Sequence, residues 1–416
     1  MRNGTALAAF GGTPVFSGEF PAWPPVTDRA LEAVKEVLVA GVWSDVLGPR
    51  KTEFEQRFAS YQDSNFAVAV SNGTVSLQIA LEALGVHSGH EVIVPAYTFV
   101  ATATSVLAVN AMPVFVDVDP LTGNMDASEV EAAITPRTRA IVPVHFAGQP
   151  ANMDDIMAIA ERHDISVIED AAQAHGARWR EQGVGSFGSF GSFSFQASKN
   201  LTAGEGGALT TSDARLAERA WSLHHCGRPR YGKWYEHELN GGNHRMGEIQ
   251  AALLLVQLDQ TEAWMRTRAR GAARLDDGLS SVRGLLPLQI DGRVTRHAHH
   301  LFCFRFDNSE FGGMSRDEFL AAMNAEGIPM SGGYVSPVNQ QPLFVNRSFD
   351  VDAIADSNDD PRLEFAIGRT PISVSLCENV VWIPQRVLLA GDKGLDAVVE
   401  AAHKVHTAAV SGFRVR

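Results

Sequence analysis

Between residues 66 and 195 the chain alternates short apolar runs with segments of helical period. The runs that predict strands are residues 66–70, 91–94, 114–118, 140–146, 166–169 and 191–195. Helices are predicted between them, for example at residues 75–84 and 152–162. Strands separated by helices indicate βαβ units and a mainly parallel sheet. The pattern therefore restricts this part of the chain to the α/β class, in which ligands bind at the carboxyl ends of the strands.

The predicted sheet divides the chain of 416 residues into three parts. Residues 1–25 contain too many glycines and prolines for regular structure and predict an N-terminal arm. Residues 26–266 hold the alternating pattern and are expected to form a large domain. Residues 267–416 predict a smaller α+β domain, built around a strand at 301–307 and a helix at 315–326.

Composition excludes several classes of protein. A formal net charge of −13 argues against general nucleic-acid binding, which needs a basic surface. No apolar run reaches the roughly 20 residues of a membrane span, and the N-terminus lacks the apolar core of a secretory signal. We therefore expect a cytoplasmic protein that binds neither nucleic acid nor membrane. Cys226, Cys303 and Cys377 are widely spaced and are predicted to be buried apolar side chains, not disulfides or zinc ligands.

Two groups of polar residues in the second half of the chain have structural explanations. Arg266, Arg268 and Arg270 lie on a predicted helix that links the two domains, and we expect them to form its solvated face. Strand alternation would place His297 and His299 on one face of a strand. Metal binding would need a further ligand that the sequence does not supply, so no metal site is predicted.

A carboxylate and a lysine stand at the ends of two successive predicted strands. Asp170 ends the apolar run of residues 166–170, and Lys199 lies in a stretch rich in Ser, Phe and Gly at residues 188–207. Lysine forms Schiff bases through its neutral amine, which requires a pocket that lowers its pKa. An acid that protonates a ring nitrogen and a lysine that holds an aldehyde are the two groups a pyridoxal 5'-phosphate (PLP) site needs. The pair therefore indicates a PLP site.

The motifs around these residues resemble those of a known family. The segment SVIEDAAQAHGA at residues 166–177 is followed by Ser-Phe-x-x-x-Lys and then by Gly-Glu-Gly-Gly. This pattern is similar to the PLP-dependent aminotransferases of the DegT/DnrJ/StrS type, and the resemblance spans residues 11–384. It implies fold type I, with a mainly parallel seven-stranded sheet in the large domain and a smaller α+β C-terminal domain. It also implies Lys199 and Asp170 as the catalytic residues.

The turn Ser-Asn-Gly-Thr at residues 71–74 lies where a strand leads into a helix. Free backbone N–H groups and the helix dipole make such a turn an anion site. The same residues also suit an ordinary helix N-cap, so the motif by itself leaves both functions open. The resemblance implies that Asn72, Gly73 and Thr74 bind the cofactor phosphate, together with the Ser194 hydroxyl.

Other residues around the cofactor follow from the resemblance. It implies that Phe99 stacks on the cofactor ring, with Tyr97 the less favoured candidate, and that Gln173 lies beside the ring hydroxyl. His175 is either a second residue near the ring or a satisfied buried polar group. Asn243, in the motif Asn-x-Arg-Met, is implied to reach the phosphate of a partner subunit, although an N-cap role also fits it. A homodimer with shared active sites is therefore expected.

The activity implied is a transamination in two half reactions. Lys199 is expected to move a proton between the α-carbon of an amino donor and the cofactor. The motif Ser-Phe-Gln-x-x-Lys, followed by Leu-Thr-x-Gly-Glu-Gly-Gly, resembles members that act on keto-cyclitols. We therefore expect L-glutamine or L-glutamate as donor and a ketocyclitol or carbasugar ketone as acceptor, as in the biosynthesis of aminocyclitol antibiotics.

Three alternatives stay open. A keto-sugar nucleotide could be the acceptor, with Arg228, Arg230 and Lys233 available to its diphosphate. The lysine motif also resembles 3-amino-5-hydroxybenzoate synthases, which would make the chain an aminating dehydratase. A regulator that binds PLP without catalysis is the third, and the intact Lys199 and Asp170 argue against it. Some relatives that dehydrate sugars replace the lysine with histidine, so Lys199 also argues against that type.

Overall fold

A computed structural model describes residues 6–44, 48–233, 235–350, 354 and 370–412. The strands in these ranges are β1 Phe66–Val70, β2 Glu91–Pro95, β3 Met112–Val116, β4 Thr138–Ile141, β5 Ser166–Asp170, β6 Arg178–Trp179, β7 Gln182–Gly183, β8 Phe190–Ser194, β9 Gly207–Thr211, β10 Leu285–Pro287, β11 Val294–Arg296, β12 Leu301–Phe306 and β13 Val380–Pro384. The helices are α1 Asp28–Ala40, α2 Pro49–Tyr61, α3 Gly73–Ala83, α4 Ala101–Ala108, α5 Ala127–Ala133, α6 Met153–His163, α7 Ala214–His224, α8 Glu248–Ser280, α9 Arg316–Ala325, α10 Pro342–Val345, α11 Pro371–Asn379 and α12 Asp392–Val410.

Seven strands form the central sheet, in the order β1-β9-β8-β5-β4-β2-β3. The strand β9 runs antiparallel to both of its neighbours. The remaining neighbours, from β8 through β5, β4 and β2 to β3, are parallel. The mainly parallel seven-stranded sheet predicted from the sequence is therefore confirmed.

Both faces of this sheet are covered, as strand β2 shows. Val92 and Val94 pack into a core formed with α3, α4 and α7. Ile93, between them, points to the opposite face and packs into a core formed with α5 and α6. All five residues of β2 are buried. Burying such aliphatic side chains contributes roughly 1.5–3 kcal/mol each, which makes the doubly covered sheet a rigid base for the strand ends.

A second, antiparallel sheet has the order β10-β12-β13. Its apolar face packs with α9, α12 and the last turns of α8. This arrangement confirms the predicted smaller α+β region in the C-terminal part of the chain. The predicted domain boundary at residues 266 and 267 falls inside the 33-residue helix α8. The early part of that helix contacts α1 and α2, and its later part contacts β10 and α12.

The structure corrects the predicted course of several segments. The predicted strand 140–146 ends at Ile141, and a short 3-10 helix follows at Phe146–Gly148. Strand β11 ends at Arg296, so His297 and His299 do not alternate along a strand. Their rings nevertheless stack, with centroids 4.1 Å apart, because the backbone turns at His299, where φ is 50°.

Two predictions of side-chain environment also need correction. Arg268 is fully buried, whereas Arg266 and Arg270 are exposed as predicted. Helix periodicity explains the difference, because Arg268 lies on the face of α8 that carries the buried Met265 and Leu275. Cys303 and Cys377 are buried as predicted, but Cys226 is only half-buried. Within the described ranges, no helix is long and apolar enough to cross a membrane.

Candidate active site

The site lies at the carboxyl ends of β5 and β8, neighbouring parallel strands in the middle of the sheet. Asp170 is the last residue of β5 and is 6% exposed. Its Oδ2 accepts a hydrogen bond from the Thr102 hydroxyl at 2.9 Å, and its Oδ1 accepts one from the Ala172 amide at 3.2 Å. Burial raises the pKa of Asp170, and the bond from Thr102 opposes that shift by stabilising the charged form.

The adjacent acid, Glu169, points to the other side of the sheet. Its carboxylate accepts hydrogen bonds from the backbone amides of Gly185, Phe187 and Gly188, at 2.7 to 2.9 Å. These bonds hold the loop that leads into β8. Successive residues of a strand face opposite sides, so Asp170 is left to face the site while Glu169 has a structural function.

Lys199 lies in a tight turn that follows β8. Its amide donates to the Gln196 carbonyl at 2.9 Å. The Gln196 side chain closes the same turn, because its Oε1 accepts from both the amide and the hydroxyl of Ser198 at 2.8 Å. Burial lowers the pKa of Lys199 to about 8, and the charge of Asp170 partly opposes the shift. The neutral, nucleophilic fraction of Lys199 near physiological pH is therefore much greater than that of an ordinary lysine.

The beginning of α3 lies against the end of β8. The Asn72 Oδ1 accepts a 2.9 Å hydrogen bond from the Val75 amide, so its side chain is an N-cap, one of the two functions considered for the turn. A Cβ on Gly73 would lie 2.7 Å from the Ser194 Cβ, so only glycine lets the two segments approach this closely. Thr74, at the same helix end, is exposed. The first amides of a helix have no carbonyl one turn earlier to bind, so those that Asn72 does not cap are positioned for an anion beside Ser194.

An exposed aromatic ring stands at the start of α4. Phe99 is 59% exposed, whereas Tyr97 is 1% exposed and packs against Phe146, with ring centroids 5.0 Å apart. The available flat face is therefore that of Phe99, and its stacking on the cofactor ring stays a prediction. Thr102, which binds Asp170, lies on the same turn of helix and ties the position of this ring to the acid.

Gln173 forms a wall of the site one turn beyond Asp170. Its Oε1 accepts from the Ala147 amide at 2.8 Å, and its Nε2 donates to the Tyr334 hydroxyl at 3.4 Å. Tyr334 comes from the C-terminal part of the chain, so this bond joins the two regions at the site. His175, two residues further, is fully buried between Phe193 and Phe195, and burial lowers its pKa to about 3. The imidazole is therefore neutral and is packed beneath the lysine turn.

These contacts bring together a buried acid, a lysine of lowered pKa, an exposed ring and the N-terminal end of a helix. The sequence matches the model of the DegT/DnrJ/EryC1/StrS aminotransferase family over residues 25–402, a range that contains all of them. The chain belongs to the DegT/DnrJ/EryC1/StrS aminotransferase family. Membership implies PLP as the cofactor of this aminotransferase.

Individual relatives of the aminotransferase are similar over almost their whole length. A putative L-glutamine:3-amino-2,3-dideoxy-scyllo-inosose aminotransferase of Streptoalloteichus tenebrarius is 41% identical, over 96% of this chain and 97% of the relative. An L-glutamine:2-deoxy-scyllo-inosose aminotransferase of Micromonospora echinospora is 40% identical, over 96% of this chain and 98% of the relative. The crystal structure of a 3-amino-5-hydroxybenzoic acid synthase superposes with a TM-score of 0.85 at 34% identity, over 94% of this chain and 99% of that chain.

One predicted site residue of the aminotransferase lies apart from the others. The Asn243 side chain is exposed and makes no hydrogen bond within the described ranges. Its segment runs beside the end of β1, where the Ser71 amide donates to the His244 carbonyl at 2.8 Å. Asn243 therefore stands at the surface near the helix-end turn, and its predicted contact with a partner subunit stays a prediction.

Sequence reasoning missed two residues that the fold brings to the site. Thr102 has a local signal, since it follows Phe99 by one helical turn and the segment ATATS offers a hydroxyl on that face. Tyr334 has none, because 161 residues separate it from Gln173. Among the described residues no group of three or more His, Cys, Asp or Glu is placed to hold a metal ion.

Proposed function

We propose that this aminotransferase holds PLP between Asp170 and Lys199 and moves the amino group of L-glutamine or L-glutamate to a ketocyclitol. The observation that carries the proposal is the pairing of a buried acid with a lysine of pKa about 8 at the ends of two neighbouring strands. The donor and acceptor are supported by the names of the two inosose aminotransferases, which are about 40% identical to this chain.

The residues present fit PLP by size and chemistry. Lys199 would hold the aldehyde, Asp170 the ring nitrogen, Phe99 the ring face and Gln173 the ring hydroxyl. The phosphate would lie at the end of α3, against Asn72, Gly73, Thr74 and Ser194. The close approach of Gly73 to Ser194 supports this placement, because it joins two sources of phosphate donors in one cradle. When bound, PLP supplies a conjugated ring that accepts electrons as the donor loses its α-proton.

The protein supplies the proton transfers and the charge. Lys199, once freed from the aldehyde, would take the proton from the α-carbon of the donor through its neutral Nζ. It would then deliver this proton to the cofactor carbon that carried the aldehyde. Asp170 would keep the ring nitrogen protonated, since its own carboxylate is stabilised by Thr102 and the Ala172 amide. The neutral His175 beneath the turn adds no second positive charge beside Lys199.

The neighbouring pocket favours an uncharged acceptor. A cavity of about 390 Å³ opens beside Phe99 toward the segment around Tyr334, Ser336 and Gln341. Among the described residues that line it, none carries a charge. The cations considered for a nucleotide diphosphate, Arg228, Arg230 and Lys233, are not among the residues that line it, and Arg230 pairs with Glu218 at 3.1 Å. A neutral polyhydroxylated ketone suits this pocket better than a diphosphate.

A homodimer is part of the proposal. Helix α1 and the residues after it leave an apolar surface exposed in the single chain, made of Leu31, Leu38, Val39, Val42 and Trp43. Large apolar side chains exposed in one segment are typical of an interface between copies. The exposed Asn243 is proposed to reach the partner's phosphate across that dimer. The cytoplasmic location stays a prediction from the sequence. The same holds for the division of the chain into an arm, a large domain and a small domain after residues 25 and 266.

The test is the visible absorption spectrum of the protein with PLP, before and after L-glutamine or L-glutamate is added without a ketone. We expect a visible band from PLP joined to Lys199, which either amino acid abolishes while the aminated cofactor appears. Lys199→Ala should lack the band. No band in the wild-type protein would contradict the site, and a band that neither donor changes would favour another donor or a regulator.

A second candidate follows from the superposition with 3-amino-5-hydroxybenzoic acid synthase. The acceptor assay separates the two activities. Transfer of nitrogen to scyllo-inosose with retention of all ring oxygens except the ketone supports the ketocyclitol enzyme. Loss of water from the ring until it is aromatic supports the synthase, and reaction with only a keto-sugar nucleotide contradicts both.

A further inference from the structure

The N-terminal arm makes a direct contact with the lysine turn. The indole Nε1 of Trp23 donates a 2.9 Å hydrogen bond to the carbonyl oxygen of Lys199. The two residues are 176 positions apart in sequence, and Trp23 is half-buried. The bond restrains the backbone of the residue whose side chain must reach the cofactor.

Helix α8 holds the indole in place. The Trp264 ring packs edge-on to that of Trp23, with centroids 5.1 Å apart, and the Arg268 guanidinium lies over the Trp23 ring at 4.9 Å. The Arg268 Nε donates to the Gln385 Oε1 at 2.8 Å. A planar cation on an aromatic face fixes the ring in two directions at once.

The contacts return to the lysine turn through the C-terminal region. The backbone amide of Gln385 donates to the backbone carbonyl of His300 at 3.2 Å. The His300 Nδ1 donates to the Asn200 Oδ1 at 3.2 Å, and the Asn200 Nδ2 donates to the Ala298 carbonyl at 2.7 Å. These contacts thus form a connected path that begins at the carbonyl of Lys199 and ends at the side chain of the next residue, Asn200.

The environment of Arg268 shows that an ion pair is not the reason for its burial. No salt bridge to it exists among the described residues, and its two terminal nitrogens have no hydrogen-bond partner there. Burial lowers its pKa to about 9, so it is still charged at neutral pH. Its favourable contacts are with Gln385 and the Trp23 ring, which makes the stack the reason for its position.

We propose that Trp23 is a positioning residue for Lys199 and that Arg268 holds it in that role. The bond to the lysine carbonyl keeps the turn closed, so the amine stays desolvated and directed toward Asp170. The inference rests on the proposed function of Lys199, and it adds that the arm, helix α8 and the C-terminal sheet together set the reactivity of that amine.

The test compares Trp23→Phe with Trp179→Phe in the full-length protein. Each substitution keeps a ring and removes an indole N–H, but that of Trp179 donates to the Asp154 Oδ1 at 2.8 Å and not to Lys199. The pKa of Lys199 is measured without PLP, from the pH dependence of its acetylation by acetic anhydride, with the modified peptide quantified by mass spectrometry. Trp23→Phe should raise that pKa from about 8 by about one unit, toward the ordinary lysine value. Trp179→Phe should leave it unchanged.

The half reaction with L-glutamine and PLP gives a second readout. Trp23→Phe should lower the maximal rate of the half reaction about tenfold. The glutamine concentration that gives half of this rate should stay within about twofold, because the donor does not touch the arm. Equal pKa values and equal rates in the two variants would overturn the proposal. If wild-type protein shows no half reaction, the proposed function fails, while the acetylation experiment still decides the positioning.

A variant of Arg268 provides a second test of the same proposal. Should Trp23→Phe not fold, Arg268→Lys keeps the charge and removes the planar stack. A raised Lys199 pKa in folded Arg268→Lys supports the proposal. An unchanged pKa in that variant overturns it.

Discussion

The Thr102 hydroxyl donates a 2.9 Å hydrogen bond to the Oδ2 of Asp170, across 68 residues of sequence. Both groups are buried. The bond stabilises the charged carboxylate against the effect of burial, which raises its pKa. The Thr102 Oγ1 also accepts a hydrogen bond from the Thr98 hydroxyl at 2.9 Å, so the orientation of the Thr102 hydroxyl is fixed by two contacts.

Replacing Thr102 tests this relationship. Thr102→Val keeps the shape and removes the donor, so the pKa of Asp170 should rise further and the half reaction with L-glutamine should slow about tenfold. Thr102→Ser retains the hydroxyl and should stay within about threefold of wild type. Stopped-flow spectroscopy of the cofactor band measures both rates. Equal rates for the Val and Ser variants would show that the bond has no part in the reaction.

Two adjacent carboxylates should respond in opposite ways. Asp170→Asn removes the charge opposite the ring nitrogen and should slow both half reactions by roughly 100-fold or more, with little loss of stability. Glu169→Gln weakens the bonds to the amides of Gly185, Phe187 and Gly188 and should cost about 2 kcal/mol of unfolding free energy. Urea denaturation and single-turnover rates separate the two effects. Unchanged rates in Asp170→Asn would contradict its assignment.

The lowered pKa of Lys199 predicts a pH dependence for cofactor capture. The cofactor-free protein must attack the PLP aldehyde through neutral Lys199, whose pKa is about 8. The rate of capture should therefore rise by about tenfold for each pH unit below 8 and level off above it. The growth of the visible band after mixing measures this rate. A rise that continues to pH 10 would mean that the lysine has its ordinary pKa.

The close contact of Gly73 with Ser194 predicts a defect in cofactor binding. A methyl group in Gly73→Ala would lie 2.7 Å from the Ser194 Cβ and push α3 away from β8. The Kd for PLP should increase by about tenfold or more. Gly292→Ala is the matched control, since a Cβ there meets nothing within 4 Å. Fluorescence titration with PLP compares the two variants, and equal affinities would place the phosphate elsewhere.

The positions of Asp170 and Lys199 were predictable because local pattern decides them. Asp170 ends a strand that apolar residues define, and Lys199 lies in the turn after the next strand of the sheet. The same holds for the helix-end turn, where Asn72, Gly73 and Thr74 mark the start of α3 by their type. In a parallel sheet such strand ends meet at one edge, so their order in sequence was enough to place them together.

The arginines of α8 show where local pattern fails. Arg266, Arg268 and Arg270 have the same residue type and nearly the same spacing, and the first and last are exposed as expected. Arg268 is buried because two distant segments, those of Trp23 and Gln385, pack on its face of the helix. Periodicity can assign a face to a residue, but it cannot say what covers that face.

The sequence by itself therefore determined the α/β class, the strand ends that carry Asp170 and Lys199, and the family with its cofactor. Only the tertiary structure decided how these two groups are tuned. Thr102 reaches Asp170, Tyr334 reaches Gln173, and Trp23 reaches the carbonyl of Lys199 over 68, 161 and 176 residues. Such contacts depend on how whole elements pack against each other, and no spacing within a segment records that packing. The burial that lowers the pKa of Lys199 arises from the same long-range packing.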